Sequence, residues 1–163
     1  MKLEGKVALI TGAGTGIGQA IAALFAKEGA DIAVNDIDMP SAEATAARIR
    51  RLGRKAITVV ADVSDAGQVG AMGSRVIAEM GGVHILVNNA GVPEYGTMIE
   101  DQTAERWDRV IAVILRGTYL CSRRAGQWMS SNGGGKILNI SSAAGISGSS
   151  HVPGYSAAKA GVI

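Results

Sequence analysis

The chain has 163 residues with 16 basic and 14 acidic side chains, a formal charge of +2, so one domain is expected and no highly charged nucleic-acid-binding arm is present. Hydrophobic residues make up 47% and charged residues 18%, a balance that excludes disorder and supplies a sizeable core. The longest purely apolar stretches, 20–26 and 110–115, fall far short of the roughly 20 residues that span a bilayer, and the apolar run 7–10 is too short for an export signal, so no membrane partner is expected. A lone cysteine, Cys121, can form no internal disulfide, which makes a reducing cytoplasm the expected compartment.

Short apolar runs alternate with helical patterns along the whole chain, the signature of strand–helix units that build a parallel sheet. The first run, 7–10, reads as a buried strand. Ile17, Ile21, Leu24 and Phe25 then recur at helical spacing, and Gly29 closes that helix. A second strand is expected at 32–35, followed by a helix capped by Ser41 and reaching about Leu52. A third strand at 56–61 leads to a helix capped by Ser64 and ending near Met80. Gly67, Gly70 and Gly73 weaken it, each by up to about 1 kcal/mol relative to alanine. After a fourth strand at 85–88, a long helix should run from about Thr103 to the polar, glycine-rich loop 130–135. A fifth buried strand at 137–140 and a helix starting near Gly154 or Tyr155 complete the reading.

Four groups of residues carry chemistry. The first strand is followed at once by TGAGTGIG, in which Gly12, Gly16 and Gly18 permit a tight turn and let a diphosphate approach backbone N–H groups at the positive end of a helix. The spacing is not that of the Walker phosphate loop, because no G-K-[ST] follows. Asp36 ends the second strand, where an acidic side chain accepts hydrogen bonds from both hydroxyls of an adenosine ribose and repels a 2′-phosphate. No basic residue stands at Thr15, Asn35 or Ile37 to offset that repulsion, so NAD is favoured over NADP. Asp62-Val63 and Asn88-Asn89-Ala90-Gly91 leave the carboxyl ends of the third and fourth strands, the edge where ligands bind. Finally, Tyr155 and Lys159 of YSAAK share one helix face. A free phenol titrates near 10, and an adjacent ammonium favours the phenolate, so the pair suits proton transfer. Ser142, upstream, could hydrogen-bond a substrate oxygen beside the tyrosine. Each group alone also reads blandly, as a turn or as surface decoration. No metal site is expected.

Taken together and in this order, TGAGTGIG, Asp36, Asp62-Val63, NNAG, NISS and YSAAK resemble the short-chain dehydrogenase/reductase family, in its compact branch. The resemblance runs from the first strand to the tyrosine–lysine helix. It implies an α/β, doubly wound parallel sheet of the Rossmann type in strand order 3-2-1-4-5, without the family's last two strands. It further implies an oxidoreductase passing hydride between a nicotinamide cofactor and a secondary alcohol or carbonyl compound, working as a homodimer or homotetramer. Tyr155 would be the general acid/base, Lys159 would assist it and hold the nicotinamide ribose, and Ser142 would steady the substrate oxygen. Gly12, Gly14, Thr15, Gly16, Ile17, Gly18, Asp36, Asp62, Val63, Asn89, Ala90 and Gly91 would surround the cofactor.

Two departures accompany the resemblance. Ile114 stands where the family carries a catalytic Asn, and its expected role is to pack in the core. The sequence given also stops soon after Lys159, so the expectation is a single dinucleotide-binding domain, C-terminally incomplete, with an exposed fifth-strand edge. Residues Glu94, Tyr95, His151 and Val152 could line a substrate site, although His151 reads better as a solvated loop residue. Two rivals to an active enzyme follow from these departures. One is a fragment that binds NAD without turnover, and the other is an interaction module docking through the fifth strand.

Overall fold

The computed structural model describes residues 1–93, 96 and 98–163. Strand β1 (Val7–Ile10) is buried along its whole length, as four apolar residues without a polar face require. Its side chains alternate between two cores. Val7 and Leu9 join Met72, Val76, Leu86 and Leu120 on one face, whereas Ala8 and Ile10 join Ile32, Val34, Ala46 and Ile49 on the other. Fully burying Ile10, Ile32, Ile49 or Leu86 contributes about 1.5–3 kcal/mol each relative to exposure.

The other strands are β2 (Asp31–Asp36), β3 (Ala56–Val60), β4 (Ile85–Asn88) and β5 (Lys136–Asn139). All pair in parallel, in the order β3-β2-β1-β4-β5, as expected from the sequence. Ala8 is in register with Ile32 on one side and Ile85 on the other, so β1 lies at the centre. The chain steps outward from β1 through β2 to β3, then returns to place β4 on the opposite side of β1. That reversal opens a crevice above the carboxyl ends of β1 and β4. Among the described residues β5 pairs with β4 alone and forms the exposed edge expected from the sequence, but all four of its residues are exposed where buried side chains were also expected, and none of them joins a core cluster.

Helix α1 (Gly16–Lys27) follows β1 directly. Helix α2 (Met39–Arg51) starts earlier than its expected Ser41 cap. Asp38 is the N-cap and accepts from the Ser41 N–H at 3.0 Å, while Pro40 in the first turn needs no partner for a missing N–H. Likewise α3 (Ala66–Met80) is capped by Asp65, which accepts from the Gln68 N–H at 2.8 Å, rather than by Ser64. Its three glycines are tolerated because Val69, Met72 and Val76 form a buried stripe. Helix α4 (Ala104–Ile111) begins at the Thr103 cap and continues through a π-helical segment, Ala112–Arg116, into α5 (Gly117–Ser131). The long helix expected there thus exists, widened in its middle. A short helix, α6 (Ala144–Ser147), precedes α7 (Pro153–Val162), whose Ala158 and Val162 pack against Val110 and Ile114. Among the described residues no helix is long and apolar enough to cross a membrane.

Candidate active site

The loops after β1 and β4 are joined by Thr11, a residue that its place among aliphatic strand positions could have flagged. Its buried hydroxyl donates to the Val87 carbonyl at 3.3 Å and accepts from the N–H groups of Asn89 and Ala90 at 3.0 and 3.1 Å. That uses the hydroxyl's one donor and both lone pairs. The Asn89 amide returns two bonds, to the carbonyls of Thr11 and Gly12 at 3.0 and 2.9 Å. Close approach depends on missing side chains. A Cβ on Gly12, whose φ is +60°, would lie 2.8 Å from Ala90 Cα, and one on Gly18 would lie 2.3 Å from the Gly12 carbonyl oxygen.

Above this junction runs a cleft of about 470 Å³. Gly12, Thr15, Gly16 and Ile17 line it beside Asp36, and Asn89, Ala90 and Gly91 form its floor. Thr15 is the N-cap of α1 but makes no side-chain capping bond, so the first-turn amides are left for another acceptor. Gly14 and Gly18 support the loop from outside the lining. The Asp36 carboxylate is oriented by backbone, accepting from the Gly14 N–H at 2.9 Å and the Asp38 N–H at 3.1 Å.

Asp62 and Val63 make one wall. Burial alone would raise the Asp62 carboxyl, but bonds from the Ser64 N–H and hydroxyl and from Arg109 outweigh it and hold the group below its ordinary 3.8. The Arg116 guanidinium donates to the Ser64 carbonyl, so two arginines from the long helix pin this loop. Val63 rests on Gly117, where a Cβ would come within 2.8 Å of Val63 Cγ2. Neither arginine is a site residue on the sequence reading. Only tertiary contact brings them to the loop.

At the far end stand Tyr155 and Lys159, with Ile140 and Ser141 beside them. The Lys159 ammonium lies 5.6 Å from the centroid of the Tyr155 ring and donates to the Ile140 carbonyl. Burial pushes it down from the ordinary 10.5. Ser142 is not part of the lining; its hydroxyl accepts from the Ala144 N–H at 3.2 Å. Ile114 is 1% exposed and packs with Val110, Ala158 and Val162, the core role expected for it. His151 is exposed, Val152 is half-buried outside the lining, and Glu94 and Tyr95 lie outside the described residues.

The open parallel sheet, with the glycine loop and the tyrosine–lysine helix meeting at its switch point, makes a doubly wound α/β fold of the Rossmann type. The family model described as short chain dehydrogenase matches residues 6–163, and the chain belongs to that family. It is 44% identical over 161 residues to an uncharacterised oxidoreductase of Bacillus subtilis, covering 99% of this chain and 59% of that protein. It is 42% identical over 163 residues to D-threitol dehydrogenase of Mycolicibacterium smegmatis, covering 99% and 62%. Among solved structures, NAD+-bound xylitol dehydrogenase superposes with a TM-score of 0.97 at 30% identity, covering 99% of this chain and 62% of that one. The chain therefore spans about three fifths of the length of these relatives.

Proposed function

We propose that this chain forms the cofactor-binding and proton-transfer part of an NAD-dependent oxidoreductase acting on a secondary alcohol or its ketone. The observation that carries this reading is one cleft that joins the glycine loop, Asp36 and the Tyr155–Lys159 pair. The residues present fit a nicotinamide dinucleotide. Uncapped amides at the start of α1 suit the diphosphate, with Gly12, Gly14, Thr15, Gly16, Ile17 and Gly18 shaping the turn. Asp36 would accept the adenosine ribose hydroxyls and repel a 2′-phosphate. Asp62 and Val63 would border the adenine, and Asn89, Ala90 and Gly91 would lie under the middle of the cofactor. When bound, the cofactor supplies the hydride acceptor or donor.

The chain's own residues would do the rest. The Tyr155 hydroxyl would move the proton of the substrate oxygen, with Lys159 held beside it by the Ile140 carbonyl. Ser142 would have to turn its hydroxyl from the Ala144 N–H toward the cleft to steady that oxygen. The same observation favours a second reading, cofactor binding without turnover. Polyols head the substrate panel, because two of the relatives named above are dehydrogenases of D-threitol and xylitol. A single dinucleotide-binding domain in a homodimer or homotetramer, at home in a reducing cytoplasm, completes the proposal; the buried, unpaired Cys121 is in keeping with that compartment.

Fluorescence titration with NADH and NADPH tests the cofactor assignment. NADH should bind more tightly, and Asp36→Ala should narrow the gap; equal or tighter NADPH binding by the unaltered protein removes the assignment. Absorbance at the NADH band with polyols, other secondary alcohols and ketones then separates the two readings. NADH binding with no turnover of any of them favours the second.

A further inference from the structure

Gly14 lies inside the glycine loop but outside the cleft lining, and both its N–H and its carbonyl are held by side chains. Its N–H donates to Asp36 Oδ2 at 2.9 Å. Its carbonyl accepts from the Thr45 hydroxyl at 3.1 Å and from the Gln19 side-chain amide at 3.2 Å, and Gln19 also donates to Thr45 Oγ1 at 3.0 Å. Thr45 is 1% exposed on α2, one turn beyond Ser41. A Cβ on Gly14 would lie 2.3 Å from Ser41 Oγ and 2.8 Å from Asp36 Oδ2, so β2, α1 and α2 all close on this one residue.

The Gly14 carbonyl and the Thr15 N–H belong to one trans peptide unit and point in opposite directions. Holding the carbonyl against Thr45 and Gln19 turns the Thr15 N–H away from α2, and Thr15 itself lines the cleft. A buried hydroxyl needs a partner, but Thr45 could have found one on its own helix, as Ser and Thr commonly do. Here it reaches across to the loop.

Resting on the cofactor reading above, we infer that Thr45 and Gln19 are positioning residues: they fix the Gly14 carbonyl and thereby aim the Thr15 N–H at the cofactor's diphosphate. Neither touches the cofactor. Their removal should weaken recognition of the diphosphate while leaving adenosine recognition by Asp36 and the Asp62-Val63 wall in place.

The test compares Thr45→Val, Thr45→Ser and Gln19→Leu by titration with NADH, ADP and adenosine. Thr45→Val should lose about fivefold in affinity for NADH and ADP, the change that one ordinary hydrogen bond of about 1 kcal/mol carries, with adenosine unchanged. Thr45→Ser, which keeps the hydroxyl, should restore both. Gln19→Leu should show the same split in the same direction, and it provides the test if the buried Thr45→Val protein does not fold. A general loss of stability lowers the melting temperature without changing the ratio of ADP to adenosine affinity in the folded protein. Equal losses for ADP and adenosine, or no loss for either, overturn the inference and leave the cofactor reading intact. An unaltered protein that binds neither NADH nor NADPH overturns that reading itself.

Discussion

The Lys159 ammonium donates to the Ile140 carbonyl from inside the fold, where the lysine is only 5% exposed. This bond ties α7 to the end of β5, and it holds a charge where water would hold it better. Because burial lowers the Lys159 pKa, the unfolded chain binds that proton more tightly than the folded one. Stability should therefore rise with pH from the depressed folded value up to the ordinary 10.5 and be lost again as pH falls through that folded value. Lys159→Met should abolish the rise. Urea midpoints measured across this interval that run parallel for the two proteins would remove the effect.

Ile114→Asn places an amide in the apolar cluster of Val110, Ala158 and Val162. The lost apolar contacts and the buried polar group should together cost about 2–4 kcal/mol, read from urea denaturation. If the family's Asn organises a proton route here, kcat should rise with little change in NADH affinity. An unchanged kcat, with Tyr155→Phe abolishing turnover, would mean that the proton leaves another way.

Arg109→Met should free the Asp62 carboxylate to turn toward Ser64 alone. The expected result is a loss of a few-fold in NADH affinity. Affinity for nicotinamide mononucleotide, which lacks the adenosine half, should not change. Calorimetry with both ligands checks this, and a loss shared by both would place the role of Arg109 elsewhere.

At the opposite end of the sheet, His84 Nδ1 accepts from the Val7 N–H at 3.1 Å, and its ring meets Trp128 edge-on at 5.3 Å. Burial, and then the charge of Lys6, lower its pKa from 6.5. A protonated ring cannot accept from Val7, so the stabilisation is present above pH 6.5 and lost as pH falls through the lower folded value. The melting temperature of the unaltered protein should fall more steeply from pH 6.5 downward than that of His84→Phe. Equal slopes would contradict this.

The strands were legible because each is a short, nearly continuous apolar run, and the sheet order followed from the resemblance. Where two capping residues compete within a few positions, as Asp38 does with Ser41 and Asp65 with Ser64, propensity cannot choose, and the choice fell to whichever carboxylate met the first-turn N–H. The cleft residues carried by motifs were readable. The Gly14 clamp and the two arginines on the Asp62 loop were not, since each joins elements far apart in sequence through side chains that look like ordinary helix surface. Ser142 shows the converse: its motif placed it beside Tyr155, but in the fold its hydroxyl satisfies a neighbouring backbone amide.

The π-helical segment Ala112–Arg116 acts as a phase shifter between two halves of one long rod. Ahead of it, Val110 faces α7; beyond it, Gly117, Leu120, Cys121 and Ala125 are buried, three of them in the core on the sheet. A regular α-helix advances about 100° per residue, so removing one residue to restore regularity would rotate everything downstream by about that angle. Gly117 would swing off Val63, and the apolar stripe that seats the rod on the sheet would turn toward water. The alignment of the Asp62-Val63 wall with the rest of the molecule thus hangs on a single surplus residue in a helix.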